Sequence, residues 1–214
     1  MPHAKTGNMT MRSILLTSLF GVTFALAAPA LAKGHGYNTT ISAPLTSAVK
    51  IEIVLSDDMA HRANNLPEKL SERSNARSLN AGFSGNGFYG DRDLEYLKER
   101  LYKKLERRFT KKNIQVSDTA QTVLRVTIVD ARPNRPTFEQ LKKEVNLSFS
   151  SFAIGGAELE AELIAADGDI VGSMSYEYYE DDIRFINQSS TWNDAYKSFD
   201  RFSRRAAKTL SSPK

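Results

Sequence analysis

Two stretches of alternating apolar and polar residues, joined by a short turn sequence, constrain the second half of the chain most strongly. Residues 157–165 place Ala157, Leu159, Ala161 and Leu163 on one face and glutamates on the other. Asp167-Gly168 follows, which is a strong hairpin signal, and residues 169–180 resume the alternation. A period of two indicates strands that are buried on one face. This half therefore predicts an antiparallel hairpin.

Three further segments, 48–55, 122–130 and 145–152, alternate in the same way. Residues 91–112 instead repeat leucine at three- and four-residue steps, and a second stripe of this kind follows Thr191, so both predict amphipathic helices. We expect a single α+β domain over residues 48–212, with a mainly antiparallel sheet of about five strands and two helices on one face. Residues 33–47 contain Gly and Pro and predict a flexible lead.

Residues 11–32 have the pattern of a bacterial secretory signal peptide: a short basic start, an apolar run, and Ala30-Leu31-Ala32 at its end. We expect cleavage near Ala32/Lys33, which makes residues 1–32 a signal peptide with an upstream extension and makes the protein periplasmic. The alternative is an uncleaved segment that anchors the protein in the membrane by its N-terminus. No Cys follows the cleavage site, so the usual route to a lipoprotein is not open.

Composition excludes several function classes. The chain has no Cys, which excludes thiol catalysis and disulfides. Its net charge of +4 falls to +2 when Lys5 and Arg12 leave with the signal peptide. This small excess, together with export, argues against a nucleic-acid partner.

A glycine pattern before the first predicted helix resembles a cofactor motif in its letters only. Gly85, Gly87 and Gly90 match the dinucleotide fingerprint, which needs a strand before the glycines and free helix amides for a pyrophosphate. No strand precedes these glycines, and Asp91 would repel the anion. We therefore predict a flexible connection and no cofactor.

Catalytic and metal motifs are also weak. After the signal peptide the chain has only His35 and His61, and no Cys, which does not make a zinc site. We expect no metal and no catalytic residue. The alternative function is an exported hydrolase of unrecognised type that uses carboxylates and possibly His61, which requires these groups to meet in one concave site.

A binding surface is the more concrete prediction. The last turns of the first long helix are basic, and Arg201, Arg204, Arg205 and Lys208 on the final helix add to them. Outside the cytoplasm the available polyanions are lipid headgroups and wall polymers, although such cations also complement the helix dipole. With the glycine-rich segment and the tyrosines near residue 178, the candidate binding residues are Phe83, Phe88, Tyr89, Lys104, Arg108, Tyr176 and Tyr178.

Residues 123–136, the run 151–163, the Asp167-Gly168 hairpin and the Ala- and Phe-rich closing helix resemble uncharacterised bacterial envelope domains of unknown function. These domains are similar to auxiliary periplasmic components of lipid-transport ABC systems. The resemblance covers about residues 90–212 and implies a non-enzymatic accessory role in the envelope. Its possible partners are an envelope protein, a lipid or a wall polymer, with peripheral membrane contact. It carries over no site residue and leaves the oligomeric state open.

Overall fold

The computed structural model describes residues 36–65, 82–85, 87–185 and 189–211. The predicted signal peptide lies outside the described residues, as does part of the glycine-rich segment. None of the helices in the described ranges is both long enough and apolar enough to cross a membrane.

The described chain forms one five-stranded sheet in the order β1-β5-β4-β3-β2. The strands are β1 (Gly36–Thr39), β2 (Val49–Leu55), β3 (Thr122–Arg132), β4 (Gly156–Ile164) and β5 (Ile170–Tyr179). Three neighbouring pairs are antiparallel, and β2 runs parallel to β3. The predicted hairpin is confirmed as β4 and β5, which pair along nearly their whole length.

The helices connect and cover these strands. They are α1 (Asp57–Asn64), α2 (Asp91–Thr110), α3 (Phe138–Lys143) and α4 (Asn193–Leu210), with short 3-10 turns at Gly82–Gly85 and Ile183–Phe185. Residues 56–90, for which the sequence gives no clear element, therefore contain α1. Ser56 begins that helix by accepting a hydrogen bond from the Met59 amide at 3.2 Å.

The core lies between the sheet and the pair of long helices. Leu97, Leu101 and Leu105 of α2 are fully buried, as are Phe199 and Phe202 of α4, and all five belong to one cluster with the inward face of the strands. Asp93 near the start of α2 bonds to Trp192 just before α4, and Arg108 near the end of α2 bonds to Asp200 within α4. The side-chain contacts therefore follow the same order along both helices, so α2 and α4 run in the same direction. The predicted α+β class and the helix layer on one face are confirmed.

The strand predicted at 145–152 is wrong. This segment is irregular, and the side chains of Val145 and Phe149 are 96% and 68% exposed instead of buried. Hydroxyl groups of Ser148, Ser150 and Ser151 bond to each other and to the backbone, which favours turns over a sheet ladder. Alternation alone does not make a strand where no neighbouring strand is available.

The fifth strand comes instead from the predicted flexible lead. Within 33–47, Gly36–Thr39 forms the edge strand β1, antiparallel to β5. Tyr37 attaches it to the core, because its hydroxyl group lies 2.9 Å from the Met174 sulfur and 2.8 Å from the Thr209 hydroxyl. Four residues are too few to show a periodic pattern, so sequence alone gave little indication of this strand.

The glycines of the apparent cofactor motif have a packing role. Gly87 and Gly90 have positive φ angles of 75° and 83°, which side chains rarely adopt. A Cβ atom at Gly87 would lie 2.9 Å from the Arg62 carbonyl oxygen. The Phe88 and Gly90 amides donate to the carbonyl groups of Arg62 and Ala63. The glycines therefore bring this segment against the end of α1.

Candidate binding surface

The two predicted binding residues Phe83 and Tyr89 of the glycine-rich segment lie in the interior and not on a surface. Tyr89 is fully buried; its hydroxyl group donates to the Ser84 carbonyl at 2.8 Å, and its ring meets Trp192 edge-on at 5.3 Å. Phe83 is only 7% exposed. Aromatic residues in a glycine-rich segment suggested exposure, but the segment is held against α1 and α3 by backbone hydrogen bonds and by the Gln140 side chain, which buries them.

Phe88, beside them, is half-buried and has a positive φ of 58°. The Lys143 ammonium group lies 5.0 Å from the centre of its ring, which is a cation–π contact that fastens α3 to this segment. The Phe88 ring therefore makes a contact within the protein and is not free to bind a partner through that face.

The predicted tyrosines of β5 lie beneath arginines of α4. Tyr176 is 4% exposed and Tyr178 is half-buried. The Arg201 guanidinium is 4.2 Å from the Tyr178 ring centre, and the Arg205 guanidinium is 5.6 Å from that of Tyr176. Stacking on an aromatic ring holds a guanidinium group in place while its edge remains free to donate hydrogen bonds. The tyrosines therefore support cations and do not form the surface themselves.

Lys104 and Arg108, the remaining predicted residues, meet α4 at Asp200. The Arg108 Nη2 atom lies 2.8 Å from Asp200 Oδ1, and the Lys104 ammonium group lies 3.8 Å from the same oxygen. Arg107 approaches Oδ1 to 3.5 Å, and Arg204 donates to Oδ2 at 2.8 Å. Four cations thus surround a single carboxylate, and the sequence prediction had not identified Asp200.

The pKa values of these groups reflect the crowding of positive charge. Burial lowers the pKa of Lys104, and the guanidinium groups of Arg100, Arg107 and Arg108 lower it further, against the opposing effect of Asp200. Burial raises the pKa of Asp200, but hydrogen bonds from Arg108 and Arg204 outweigh it, and the pKa lies below its usual range. Asp200 is therefore ionised at neutral pH and still leaves three positive charges uncompensated within the cluster.

The positive charge continues along α4. Lys197, Arg201, Arg204, Arg205 and Lys208 recur at three- and four-residue steps and so share one side of the helix. We call the following set the cationic face: Lys104, Arg107, Arg108, Lys197, Arg201, Arg204, Arg205 and Lys208. The predicted basic surface of the two helices is thus present as one continuous region of the fold.

A second carboxylate, Asp130, is largely buried between two arginines, and no pattern in the sequence indicated it. Arg62 of α1 donates to Oδ1 at 2.8 Å, and Arg132 of β3 donates to Oδ2 at 2.9 Å. The Tyr179 hydroxyl also donates to Oδ2, at 2.7 Å. Arg62 bonds in addition to Asp58. We call Arg62, Asp130, Arg132 and Tyr179 the buried cluster; Asp58, whose side chain is 75% exposed, pairs with Arg62 at its edge.

Burial and ion pairing compete at Asp130. Burial raises the pKa of this carboxyl group, but the guanidinium groups of Arg62 and Arg132 and the hydrogen bonds from Arg62 and Tyr179 hold it below its usual range. Asp130 is only 9% exposed, and Arg132 lies 4.3 Å from the Tyr179 ring centre. With its donors and acceptors matched and little access for solvent, the buried cluster is suited to holding α1, β3 and β5 together.

A wide groove lies at the opposite end of α2 from the cationic face. It has a volume of about 1340 Å³ and is bounded by the first turns of α2, by α3 and by residues 189–191. Phe138 and Phe149, 69% and 68% exposed, meet edge-on at 5.9 Å on its wall. Its carboxylates are largely paired, as in Glu139 with Lys142 at 2.6 Å. None of the predicted binding residues except the buried Tyr89 borders it.

His61 does not lie in such a site. It is exposed on α1, and no carboxylate of the described residues is within ion-pair distance of its ring. Across the same ranges, no three His, Asp or Glu side chains are grouped so that they could hold a metal ion. The geometry required by the hydrolase alternative is therefore not assembled around His61.

Comparison with known proteins gives structural similarity only. No protein-family model matches the sequence, and no curated protein is significantly similar to it. Among solved structures, the chain is similar to a PelC dodecamer from Paraburkholderia phytofirmans, with 11% identity, 85% of this chain and 100% of that chain covered, and a TM-score of 0.42.

Two further structures have lower scores. A minor lipoprotein from Acinetobacter baumannii shares 10% identity, with 75% of this chain and 91% of that chain covered and a TM-score of 0.32. A Xanthomonas campestris protein of the DUF330 family shares 8% identity, with 75% and 80% covered and a TM-score of 0.38. With all TM-scores below 0.5, these similarities do not assign a family or a function.

Proposed function

We propose that this protein is an exported, non-enzymatic accessory protein of the bacterial envelope that works by binding an anionic envelope component. The observation that carries the proposal is the surplus of positive charge at the cationic face, where four basic side chains share the single carboxylate of Asp200. The signal sequence supports export to a compartment in which phosphate-bearing lipids and polymers are the abundant anions.

Exposure of the cations favours a binding role over a purely structural one. The side chains of Arg107 and Arg204 are 57% and 64% exposed, whereas Asp200 is 20% exposed. Exposed ion pairs contribute at most about 1 kcal/mol to stability, so folding does not require the two exposed cations Arg107 and Arg204 here. Helix-dipole complementation explains basic residues in the last turn, but Arg201 lies in the first half of α4, where its neighbour Lys197 is paired with Glu180 at 2.8 Å.

Binding of the full-length mature protein to soluble linear polyphosphate and to the purified envelope fraction tests this function. We expect binding at low salt that weakens steeply as salt is added, because Lys and Arg contacts to phosphate release counterions. The double variant Arg107→Gln/Arg204→Gln should bind more weakly.

The matched control removes the same charge from the other side of the sheet. Lys50→Gln/Arg125→Gln lowers the net charge equally and leaves the cationic face intact, so its binding should stay close to that of the unmodified protein. Absence of binding to both probes at low salt would exclude the proposed function.

A further inference from the structure

The two sides of the molecule carry opposite charge. The helix layer presents the cationic face, while the uncovered side of the sheet carries five glutamates, one aspartate and three basic residues along β2 to β5. The register and the alternating burial place these residues on the uncovered side: Lys50, Glu52, Arg125, Asp130, Arg132, Glu158, Glu160, Glu162 and Glu177. Arg132 is paired there with Asp130 at 2.9 Å. One of the basic residues, Arg125, is already paired with Glu52 at 2.9 Å. A molecule with this charge separation turns its helices toward an anionic surface.

The shape of the cationic face suits a surface more than an enclosed ligand. Arg204, Arg205 and Lys208 are exposed on α4, and Arg107 is exposed on α2, while Lys104 and Arg108 reach from α2 to Asp200 between the helices, so the set extends across both helices. The wide groove lies at the other end of α2 and includes none of them. An array in two rows can contact many phosphate groups at once.

The positions of the exposed hydrophobic side chains indicate how far the protein would penetrate a bilayer. The large hydrophobic residues that are exposed in the described ranges lie on the first half of α2, on α3, in 145–152 and near β5. None of them belongs to α4 or to the second half of α2. Stable insertion into the acyl region needs apolar side chains at the contact. Contact through this face would therefore stay at the level of the headgroups and be reversed by salt.

We propose that the cationic face docks on a lipid surface that bears anionic phosphate headgroups, with α2 and α4 against the membrane and the glutamate-bearing side of the sheet facing away. This inference rests on the proposed function and specifies the partner as a bilayer surface rather than a soluble polymer. Charge complementarity is its basis: surplus cations lie on one side and glutamates on the other, and no large exposed hydrophobic side chain of the described residues lies at the contact.

Cosedimentation with vesicles tests the partner. The protein should bind vesicles that contain phosphatidylglycerol and should not bind vesicles of phosphatidylcholine alone, and added salt should release it. Each basic residue near an anionic surface changes affinity about fivefold. Arg107→Gln/Arg204→Gln should therefore weaken binding about 25-fold, while the control Lys50→Gln/Arg125→Gln should change it less than twofold. Unfolding midpoints of both variants establish that they are folded.

Three results would overturn the lipid proposal: equal losses in the two double variants, equal binding to both kinds of vesicle, or binding that persists at high salt. If the protein bound polyphosphate but not vesicles, a polymer would be the partner and the proposed function would stand. If it bound neither probe, both the lipid proposal and the proposed function would fall.

The orientation has its own measurement, because the chain contains no Cys and a single introduced thiol can be labelled uniquely. A fluorophore on Thr110→Cys lies at the end of α2, and one on Glu160→Cys lies on the opposite side of the sheet. With headgroup-labelled acceptor lipids in phosphatidylglycerol vesicles, energy transfer should be strong from position 110 and weak from position 160. Equal transfer from both positions, or stronger transfer from position 160, would overturn the proposed docking.

Discussion

Two aspartates of this protein are each surrounded by basic side chains, yet their settings differ. The Asp130 side chain is 13% exposed, and of the two arginines that bind it Arg62 also pairs with Asp58 at the surface. Asp200 is more exposed and is shared by four cations. At Asp130 each buried charge has a partner of opposite charge, whereas at Asp200, which is closer to solvent, more cations than carboxylates are present. From this comparison we expect the buried cluster around Asp130 to stabilise the fold and the cationic face around Asp200 to bind a partner.

The largest expected effect follows from removing the carboxylate of the buried cluster. Asp130→Ala leaves Arg62 and Arg132 with little solvent and without their shared partner, and breaking a buried pair in this way costs about 3–5 kcal/mol. Urea unfolding followed by circular dichroism measures the free energy of unfolding. A loss below about 1 kcal/mol would show that the buried cluster does not hold the fold.

The pH dependence of stability sharpens the comparison, because a third aspartate, Asp194, is buried without a cation bonded to it. Its Oδ2 accepts a hydrogen bond from the Asn134 side-chain amide, and the Gly155 backbone amide also approaches the carboxylate. Burial raises the pKa of Asp194, and the Asn134 hydrogen bond offsets part of the effect. The folded state therefore holds this proton more tightly, and stability should fall as pH rises through the folded pKa, above about 3.9.

Asp130 acts in the opposite direction. Its folded pKa is lowered, so its contribution is present above the unfolded pKa of about 3.9 and is lost as pH falls through the folded value. Denaturant titrations at pH values below and above about 3.9 should show that the free energy of unfolding falls in acid, from Asp130, and falls again at higher pH, from Asp194. Asp194→Asn should remove only the decline at higher pH, and Asp130→Asn should remove much of the loss in acid. An unchanged profile in either variant would contradict the assignment.

The cationic face should be the least important of these groups for stability. Arg107 and Arg204 are exposed, so Arg107→Gln/Arg204→Gln should change the free energy of unfolding by less than about 1 kcal/mol. The same urea experiment measures it. A loss comparable to that of Asp130→Ala would mean that both charged groups hold the fold and that the distinction between them is wrong.

The regular elements could be predicted from sequence because each has its own local pattern. The β4–β5 hairpin follows from alternation around Asp167-Gly168, and α2 follows from its leucine stripe. The edge strand β1 is too short for a pattern. Residues 145–152 have the pattern but no strand beside them, and Val145 is almost fully exposed. Periodicity reports a tendency to be buried, and only the tertiary fold decides whether a neighbour exists.

The candidate site was predictable in part for the same reason. Basic residues on two helices are visible in the sequence, and the prediction that they form one surface agrees with the structure. Asp200 was not identified, because one acid among many cations has no motif. The partners of Asp130 lie 68 residues away at Arg62 and 49 residues away at Tyr179, and a register shift in β3 separates Ile128 from Asp130. No local pattern encodes such contacts.

The most direct test of this account is the affinity of Asp200→Asn for phosphatidylglycerol vesicles. The substitution removes the only carboxylate that Lys104, Arg107, Arg108 and Arg204 share among the described residues, and it frees their donors for lipid phosphate. One additional uncompensated charge should tighten binding about fivefold, with the protein still folded by its unfolding midpoint. Unchanged or weaker binding by the folded variant would contradict the assignment of the cationic face to an anionic partner.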